Sequence, residues 1–173
     1  MAIIQDINRY ANGSKIKGLF NILFEPCLHA IFCYRFGSWM HKKLNFQFLP
    51  RLLQIHSRIF YGIDIDFRAS LGPGLYIVHG SGVVIGCSTI AGKNLSVHQG
   101  VTIGGSNEKS RTIIENQIIE QPYIGDNVSI NTGAIVLGPV IIGSGAIIGS
   151  RALIMKDIPD NTIVYSKNEL VIR

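Results

Sequence analysis

The sequence contains few cysteines and lacks the motifs of several common protein classes. Its three cysteines, Cys27, Cys33 and Cys87, do not have the spacing of metal ligands, and their odd number is typical of a reduced, cytoplasmic protein. It has no phosphate-binding P-loop and no cluster of metal-ligating residues. No basic segment precedes a clean apolar core at the N-terminus, so no secretory signal is indicated. We therefore expect a cytoplasmic protein without a bound metal.

Long hydrophobic runs are also absent. Residues 17–42 are apolar but are interrupted by Asn21, Glu25, Pro26 and Arg35, which makes the segment too polar for a membrane span. The chain has 16 lysines and arginines against 11 acidic residues, which gives a net charge of +5. This charge favours a phosphate-bearing ligand or an anionic surface as a partner. We expect no nucleic-acid partner.

A six-residue repeat dominates the second half of the chain. Such a period fits neither an amphipathic helix nor an ordinary strand pair. It is typical of a parallel β-solenoid, in which each hexad makes one short strand and one corner, and three hexads make a triangular coil. Every sixth residue is a branched aliphatic that we expect to point inward: Ile124, Ile130, Val136, Ile142, Ile148 and Ile154.

The same spacing extends back to about residue 61, with two interruptions. Ile77 and Ile85 are eight residues apart rather than six, so two extra residues lie near His79–Gly82. A longer polar segment, residues 105–122, is expected to project from one coil as a loop. Insertions into a regular scaffold are common sites of function, because the scaffold does not need them. We assign residues 61–173 to the solenoid.

Residues 1–60 are assigned to an N-terminal helical segment, of which residues 1–14 are polar and only weakly patterned. The spacing of apolar residues predicts a helix over about 16–44, with Pro26 in a first turn or at a kink, and a second helix over about 50–60. One interpretation is that these helices cover the open end of the solenoid. Another is that their lysines and arginines, interleaved with Phe and Trp, also contact a membrane surface or a lipid-linked acceptor. The second interpretation implies a peripheral location at the inner membrane.

Among the five histidines, His79 is the strongest candidate for chemistry. It lies between glycines at the two-residue insertion, where a side chain is expected to be exposed in a cleft. The corner after Ile77 leads back above the side of the coil that carries Asp64, so we expect these two residues to be neighbours. A carboxylate fixes the tautomer of an imidazole and raises its basicity, which suits His79 as general base for a hydroxyl. The alternative for Asp64 is a corner-capping role.

Two segments give the chain a recognisable likeness. GIDIDFRASLGPGLYIVHGSGVVIG, followed by AGKNLSVHQGVTIGG, resembles the serine acetyltransferase branch of the hexapeptide-repeat acyltransferases. The resemblance implies a left-handed parallel β-helix, a homotrimer and acetyl-CoA as acetyl donor. Asp64 and His79 match the catalytic aspartate and histidine of that family.

The chain departs from that family at several acceptor-binding positions. Val78 replaces an aspartate, Cys87 replaces a glutamate, and residues 120–122 read Glu-Gln-Pro where the family has Arg-His-Pro. These departures and the short helical segment favour the short relatives that O-acetylate sugars of capsule, colanic acid or similar polysaccharides. A serine O-acetyltransferase with an altered site is the alternative, and a non-catalytic scaffold is a third. Acceptor contacts are expected from His98, Gln99, Asn107, Asn116 and Gln121.

The resemblance also indicates where the donor lies. A pantetheine arm is held mainly by backbone groups, so small residues matter, and two basic side chains are placed to meet the phosphates. The chain lacks the family's Gly-Asn-Pro-Ala segment and has Tyr-Ser-Lys-Asn at 165–168 instead, so the adenine end has no matching motif. The expected cofactor-binding residues are Gly104, Gly105, Thr132, Gly133, Ala134, Ser150, Arg151 and Lys156.

Overall fold

The computed structural model describes residues 2–106, 111–113 and 117–166. Four helices come first: α1 (Ala2–Ala11), α2 (Lys15–Phe24), α3 (Pro26–Leu44) and α4 (Phe48–Tyr61). Short strands follow, and most of them belong to three parallel sheets that form the sides of a triangular prism. The described strands are β1 (Ile63–Ile65), β2 (Ser70–Leu71), β3 (Tyr76–Ile77), β4 (Val83–Ile85), β5 (Ile90–Ala91), β6 (Ser96–Val97), β7 (Thr102–Gly104), β8 (Arg111–Ile113), β9 (Gln117–Ile119), β10 (Tyr123–Ile124), β11 (Ser129–Ile130), β12 (Ile135–Leu137), β13 (Ile141–Ile142), β14 (Ile147–Ile148), β15 (Leu153–Ile154) and β16 (Ile163–Val164).

Each of the first four coils contributes one strand to each sheet, and the fifth contributes strands to sheets A and C. Sheet A has the order β1-β4-β7-β12-β15, sheet B has β2-β5-β10-β13, and sheet C has β3-β6-β11-β14-β16. The predicted parallel β-helix is therefore confirmed, with about five coils. The segment after Met155 continues a fifth coil that begins with β15. In that coil Ile158 bridges to Ile142 and β16 pairs with β14.

The six-residue repeat builds the core of the prism. Each aliphatic residue of the repeat points inward, and the small residue four positions later fills the space beside it. Burying one such branched side chain contributes roughly 1.5–3 kcal/mol. Ile124, Ile130, Val136, Ile142 and Ile148 are fully buried, as are Val128, Ala134 and Ala146.

The corner between sheet C and sheet A, here called the C–A corner, needs a left-handed backbone in each coil. Gly82, Gly100 and Gly133 adopt φ values of 74°, 69° and 67° at successive levels. Glycine takes this conformation without steric cost. In the next coil a non-glycine residue, Arg151, adopts φ 58° at the same corner. The stack keeps this corner regular from coil to coil.

Two insertions interrupt the coils. Ile63 pairs with Val83, whereas Val84 pairs with Thr102, so the first coil is two residues longer than the second. This confirms the extra residues predicted near His79–Gly82. The larger insertion, between β7 and β10, contains the antiparallel hairpin β8–β9. The sequence indicated this loop but not its hairpin.

Helix α1 was not expected, because residues 1–14 have a weak apolar pattern. It docks through polar side chains. Asp6 is fully buried, accepts hydrogen bonds from the Gly74 and Leu75 amides at 2.8 Å, and pairs with Arg35 at 2.8 Å. The Tyr10 hydroxyl donates to the Ile77 carbonyl at 2.8 Å and accepts from its amide at 3.0 Å. These contacts satisfy backbone groups at the exposed edge of sheet C, where an unpaired strand would otherwise end.

Helices α2 and α3 meet at Pro26, which begins α3 rather than kinking one long helix. No single helix in the described part of the chain is long and apolar enough to cross a membrane, and α2 and α3 reach such a composition only as a pair bent by 79°. Helix α3 packs on the prism through buried residues that include Ala30, Ile31 and Tyr34. The helices therefore cover the first coil, as one of the two sequence interpretations proposed.

Candidate active site

The C–A corner collects most of the residues expected to act in catalysis. Sheet C aligns Ile77, Val97, Ile130 and Ile148 in register, so the residues that follow them stack at this corner from coil to coil. The corner carries His79 in the first coil, His98 and Gln99 in the second, Thr132 and Gly133 in the third, and Ser150 and Arg151 in the fourth.

His79 lies in the two-residue excess of the first coil. The backbone before it stays in the regular stack, because the Val78 amide donates to the Val97 carbonyl at 2.9 Å. The extra residues then carry His79 out of the prism, and its side chain is exposed. An exposed imidazole at a corner is free to meet a substrate hydroxyl, which is what a general base requires.

His98 lies one coil away and is half-buried. Burial lowers the pKa of His98, and the charge of His79 lowers it further. The second cause fits the position of the two histidines at successive levels of the same corner. A lowered pKa keeps His98 in its neutral form near neutral pH, where it both donates and accepts a hydrogen bond.

Asp64 projects outward from β1 and is held by helix α4. Gln54 Nε2 donates to its Oδ1 at 2.7 Å, and Arg58 lies 3.4 Å from its Oδ2. Among the described residues, His79 is not a hydrogen-bond or ion-pair partner of Asp64. The sequence did not indicate Gln54 or Arg58. Their only signal was two polar residues four positions apart on a helix that directly precedes the solenoid.

Gln99 has a buried polar atom without a partner. Its Oε1 is enclosed and accepts no hydrogen bond from the part of the chain that the structure describes. A buried acceptor left unpaired costs about 1–3 kcal/mol, so such an atom commonly marks a ligand contact. Its place next to His98, at the C–A corner, fits the acceptor-binding role expected for Gln99.

Gln121 lies elsewhere. Its Oε1 accepts from the Ser88 amide at 3.1 Å and from Thr89 Oγ1 at 3.2 Å, which ties the loop to the corner that follows β4. His79 precedes β4, so within one chain the two residues are at opposite ends of that strand. Asn107 and Asn116, which were also expected to contact the acceptor, lie outside the described residues.

The residues expected to bind the donor fall into two groups on either side of sheet A. Thr132, Gly133, Ser150 and Arg151 are at the C–A corner. Gly104 ends β7, Gly105 follows it, and Lys156 lies beyond β15, so these three lie at the opposite ends of the strands of sheet A. Ala134 is fully buried inside the prism, so its side chain does not reach a ligand.

Both groups offer features that fit a coenzyme A donor. A Cβ built on Gly104 would meet nothing within 4 Å, so its backbone is open to close approach. Ser150, Arg151 and Tyr165 line an open cleft of about 530 Å³. Arg151 forms no ion pair with any described residue, so it is available for a phosphate. The described residues contain no group of three or more His, Cys, Asp or Glu side chains placed to hold a metal ion.

The comparisons with known proteins identify the family. A model of the bacterial transferase hexapeptide (six repeats) matches residues 121–156. The serine acetyltransferase of Helicobacter pylori is 36% identical over 151 residues, which cover 87% of this chain and 84% of that protein. The chain belongs to the serine acetyltransferase family of hexapeptide-repeat transferases. The predicted enzyme class, an acyltransferase with acetyl-CoA as donor, is thereby confirmed, and a non-catalytic scaffold is not supported.

Solved structures agree with this assignment. Brucella abortus serine acetyltransferase in complex with coenzyme A superposes with a TM-score of 0.84 at 27% identity, over 96% of this chain and 64% of that chain. Neisseria gonorrhoeae serine acetyltransferase in complex with serine gives 0.82 at 29% identity and covers 96% of this chain and 66% of that one. The chain thus spans slightly less than two thirds of these solved proteins. The fold matches the left-handed β-helix that the resemblance implied.

The expectation of a polysaccharide sugar as acceptor is wrong. The relatives are serine acetyltransferases, and a structural neighbour was solved with serine. Val78, Cys87 and the Glu-Gln-Pro stretch differ from the family but do not indicate a sugar acceptor. In the structure Gln121 anchors the loop on Ser88 and Thr89. A glutamine at this position is therefore explained by loop packing rather than by the choice of acceptor.

Proposed function

We propose that this protein is a serine O-acetyltransferase, which transfers the acetyl group of acetyl-CoA to the hydroxyl of L-serine. The observation that carries the proposal is the family of its relatives, together with the C–A corner that carries His79 and His98 on successive coils. The Helicobacter pylori serine acetyltransferase, for example, is 36% identical to this chain over 87% of its length. The corner supplies the base that a serine hydroxyl needs before it can attack a thioester.

In this mechanism His79 acts as general base. It takes the proton of the serine hydroxyl while the oxygen attacks the thioester carbonyl carbon. The tetrahedral intermediate then collapses, the carbon–sulfur bond breaks, and the proton held by His79 passes to the departing thiolate. The products are O-acetylserine and the free thiol of coenzyme A, so atoms and charge balance. Asp64 contributes a negative charge near the corner, which favours the protonated imidazole that forms in the transition state.

The serine zwitterion needs partners for both of its charged groups. Gln99 Oε1 is a buried acceptor without a described partner, which suits an ammonium donor. Arg58 is a cation with a 60% exposed side chain that contacts Asp64, which suits the carboxylate. We assign these two roles as part of the proposal, and they replace the open sugar cleft that the sequence suggested.

The proposal includes a homotrimer. The donor-binding residues lie at both ends of the strands of sheet A, so one chain does not bring them together. In the proposed trimer, the C–A corner of one copy meets the opposite strand ends of the next. The outer face of sheet A also presents exposed apolar side chains. Val84 of β4, Ile135 of β12 and Leu153 of β15 are 41%, 38% and 61% exposed, and Thr102 of β7 lies between the first two. Apolar patches of this kind on a regular flat side are typical of subunit interfaces.

The test is a thiol-release assay. Acetyl-CoA is held at saturation, L-serine is varied, and free coenzyme A is measured with a thiol reagent. The proposal expects saturable, serine-dependent release, with D-serine and glycine as poor acceptors because they lack a hydroxyl in the correct place. Thiol release that does not depend on L-serine would contradict it.

A further inference from the structure

Helix α2 turns its apolar side to solvent. Its large hydrophobic residues recur at i, i+3, i+4, i+7 and i+8, which places them on one face of a helix. That spacing normally marks the face that packs on a core, but here the face is open. The residues are Ile16, Leu19, Phe20, Leu23 and Phe24, with exposed fractions of 83%, 64%, 60%, 59% and 63%, and they are called the α2 stripe below.

The opposite face of α2 fixes this orientation. Gly18 lies directly against Ala11 of α1, and a Cβ added there would come within 3.2 Å of the Ala11 Cβ. Asn21 Nδ2 donates to the Tyr10 carbonyl at 2.9 Å. The helix therefore rests on α1 through a small residue and an amide. Rolling the stripe inward would break that hydrogen bond and force large side chains into the space that Gly18 now fills.

The positive charge of the protein is concentrated in the same part of the chain. Residues 1–61 contain eight of the 16 lysines and arginines but two of the 11 acidic residues, whereas the rest of the chain has eight basic and nine acidic residues. The two acids are used internally. Asp6 is buried against Arg35, and Glu25 accepts from the Cys27 amide at the start of α3. Lys15 and Lys17, on either side of Ile16, are exposed.

We propose that the α2 stripe docks on the surface of an anionic lipid bilayer. A helix with an apolar face flanked by lysines has the composition of an interfacial helix. At ten residues α2 is about 15 Å long, roughly half of a bilayer core, and α3 is committed to the prism, so α2 lies in the interface and does not span it.

Charge favours a bilayer over a second copy of this chain as the occupant. Docking two α2 stripes against each other would bring two sets of lysines together, and the carboxylates of the helical segment are already engaged. An anionic surface removes that repulsion and attracts each lysine. The inference is independent of the acceptor, because it uses no residue of the C–A corner.

The test is flotation of the full chain with vesicles. One set contains phosphatidylglycerol and phosphatidylcholine, and the other contains phosphatidylcholine alone. We expect binding to the anionic vesicles that weakens as salt is raised, with little binding to the neutral ones. Phe20→Ser with Leu23→Ser should abolish flotation, since both side chains are exposed and their loss leaves the fold intact.

A matched pair of charge variants distinguishes attraction of the α2 lysines to the anionic membrane from attraction due to the net charge of the whole protein. Lys15→Glu and Lys93→Glu change the net charge equally, but Lys93 is an exposed residue of the solenoid. Lys15→Glu should weaken anionic-vesicle binding by about tenfold or more, and Lys93→Glu should change it little. The proposal would be overturned by an equal loss of anionic-vesicle binding in Lys15→Glu and Lys93→Glu, or by equal binding of the unmodified protein to neutral and anionic vesicles. Unchanged flotation of the Phe20→Ser, Leu23→Ser double variant would also overturn it. If the Phe20→Ser, Leu23→Ser double variant had a lower assembly mass but unaltered vesicle binding, the α2 stripe would be a contact with a second copy of the chain instead.

Discussion

At the scale of single residues, the account depends on the position of His79 outside the regular stack. The two extra residues of the first coil were visible in the sequence, and they place the imidazole at an exposed corner next to His98. What the sequence did not reveal is how Asp64 is held. Its partners come from α4, and a helix that docks on a solenoid can present several of its faces, so six-residue periodicity alone does not identify Gln54 and Arg58.

His79→Ala should lower kcat by roughly 10²–10⁴-fold, the range expected when a general base is lost. Binding of acetyl-CoA should stay nearly unchanged, because the imidazole acts on the acceptor hydroxyl. Asp64→Asn should have a milder effect, since that side chain contributes charge and does not transfer the proton. Steady-state kinetics and a donor-binding titration measure both effects.

His56→Ala is a suitable control for that experiment, because His56 is exposed on α4 and its ring contacts are with Phe60 and Tyr61. Its activity should match that of the unmodified protein. If His79→Ala kept more than about a tenth of the activity, His79 would not be the base, and His98 would be the next residue to test.

The interaction of the two histidines can be measured directly. The pKa of His98 lies below its ordinary value of 6.5, first through burial and then through the charge of His79. His79→Ala should therefore raise the pKa of His98 but leave it below 6.5, since burial remains. An NMR titration of the imidazole protons reports this value, and an unchanged pKa would show that the rings do not interact.

The same shift has a consequence for stability. A histidine with a lowered folded pKa binds fewer protons in the folded than in the unfolded chain at pH values between the folded pKa and about 6.5. Its contribution to stability is therefore present above pH 6.5 and is lost as the pH falls through that window. The His98→Asn variant should lose this part of the pH dependence.

At the scale of elements, the hexad repeat predicted the strands, and the helical pattern predicted α3 and α4 approximately. Helix α1 was missed although it is amphipathic, because it is short and its apolar contacts with the core, from Ile3 and Tyr10, are only partly buried. Its buried residues are Asp6 and Ala11, so polar contacts provide much of its docking. The hairpin β8–β9 was missed because it lies in a polar insertion outside the repeat. Pattern arguments detect elements that bury an apolar face and overlook elements that satisfy backbone groups.

Asp6→Asn tests whether α1 stabilises the first coil. The substitution removes the charge of the fully buried Asp6 and leaves Arg35, whose side chain is 14% exposed, without its counter-charge. The free energy of unfolding should fall by about 3–5 kcal/mol, as measured by urea denaturation. Asp126→Asn, at a more exposed carboxylate that accepts from the Lys93 amide, serves as the control and should cost much less. A loss below about 1 kcal/mol for Asp6→Asn would mean that α1 adds little to the fold.

At the scale of the whole molecule, the solenoid, its helical cover and the enzyme class followed from the sequence, and the acceptor did not. The scaffold is repetitive, so each hexad independently indicates the same β-helical fold. The acceptor depends on a few side chains and on backbone groups that differ little between substrates. Val78 and Cys87 appeared informative because of their type, yet the structure gives them no contact that excludes serine.

We expect the protein to be a homotrimer in solution. Sedimentation equilibrium at micromolar concentration should give about three times the chain mass of 19.0 kDa. Ile135→Glu with Leu153→Glu, on paired strands of the outer face of sheet A, should dissociate the trimer and reduce acetyl transfer with it. A monomer that transfers acetyl at full rate would contradict a site shared between subunits.

The most direct test of the central claim is to identify the product. The protein is incubated with acetyl-CoA carrying a ¹³C-labelled acetyl group and with L-serine, and the mixture is followed by NMR and mass spectrometry. The account predicts O-acetyl-L-serine in amounts equal to the coenzyme A released, with neither formed by His79→Ala at a comparable rate. Release of coenzyme A with free acetate and no acetylated serine would contradict it.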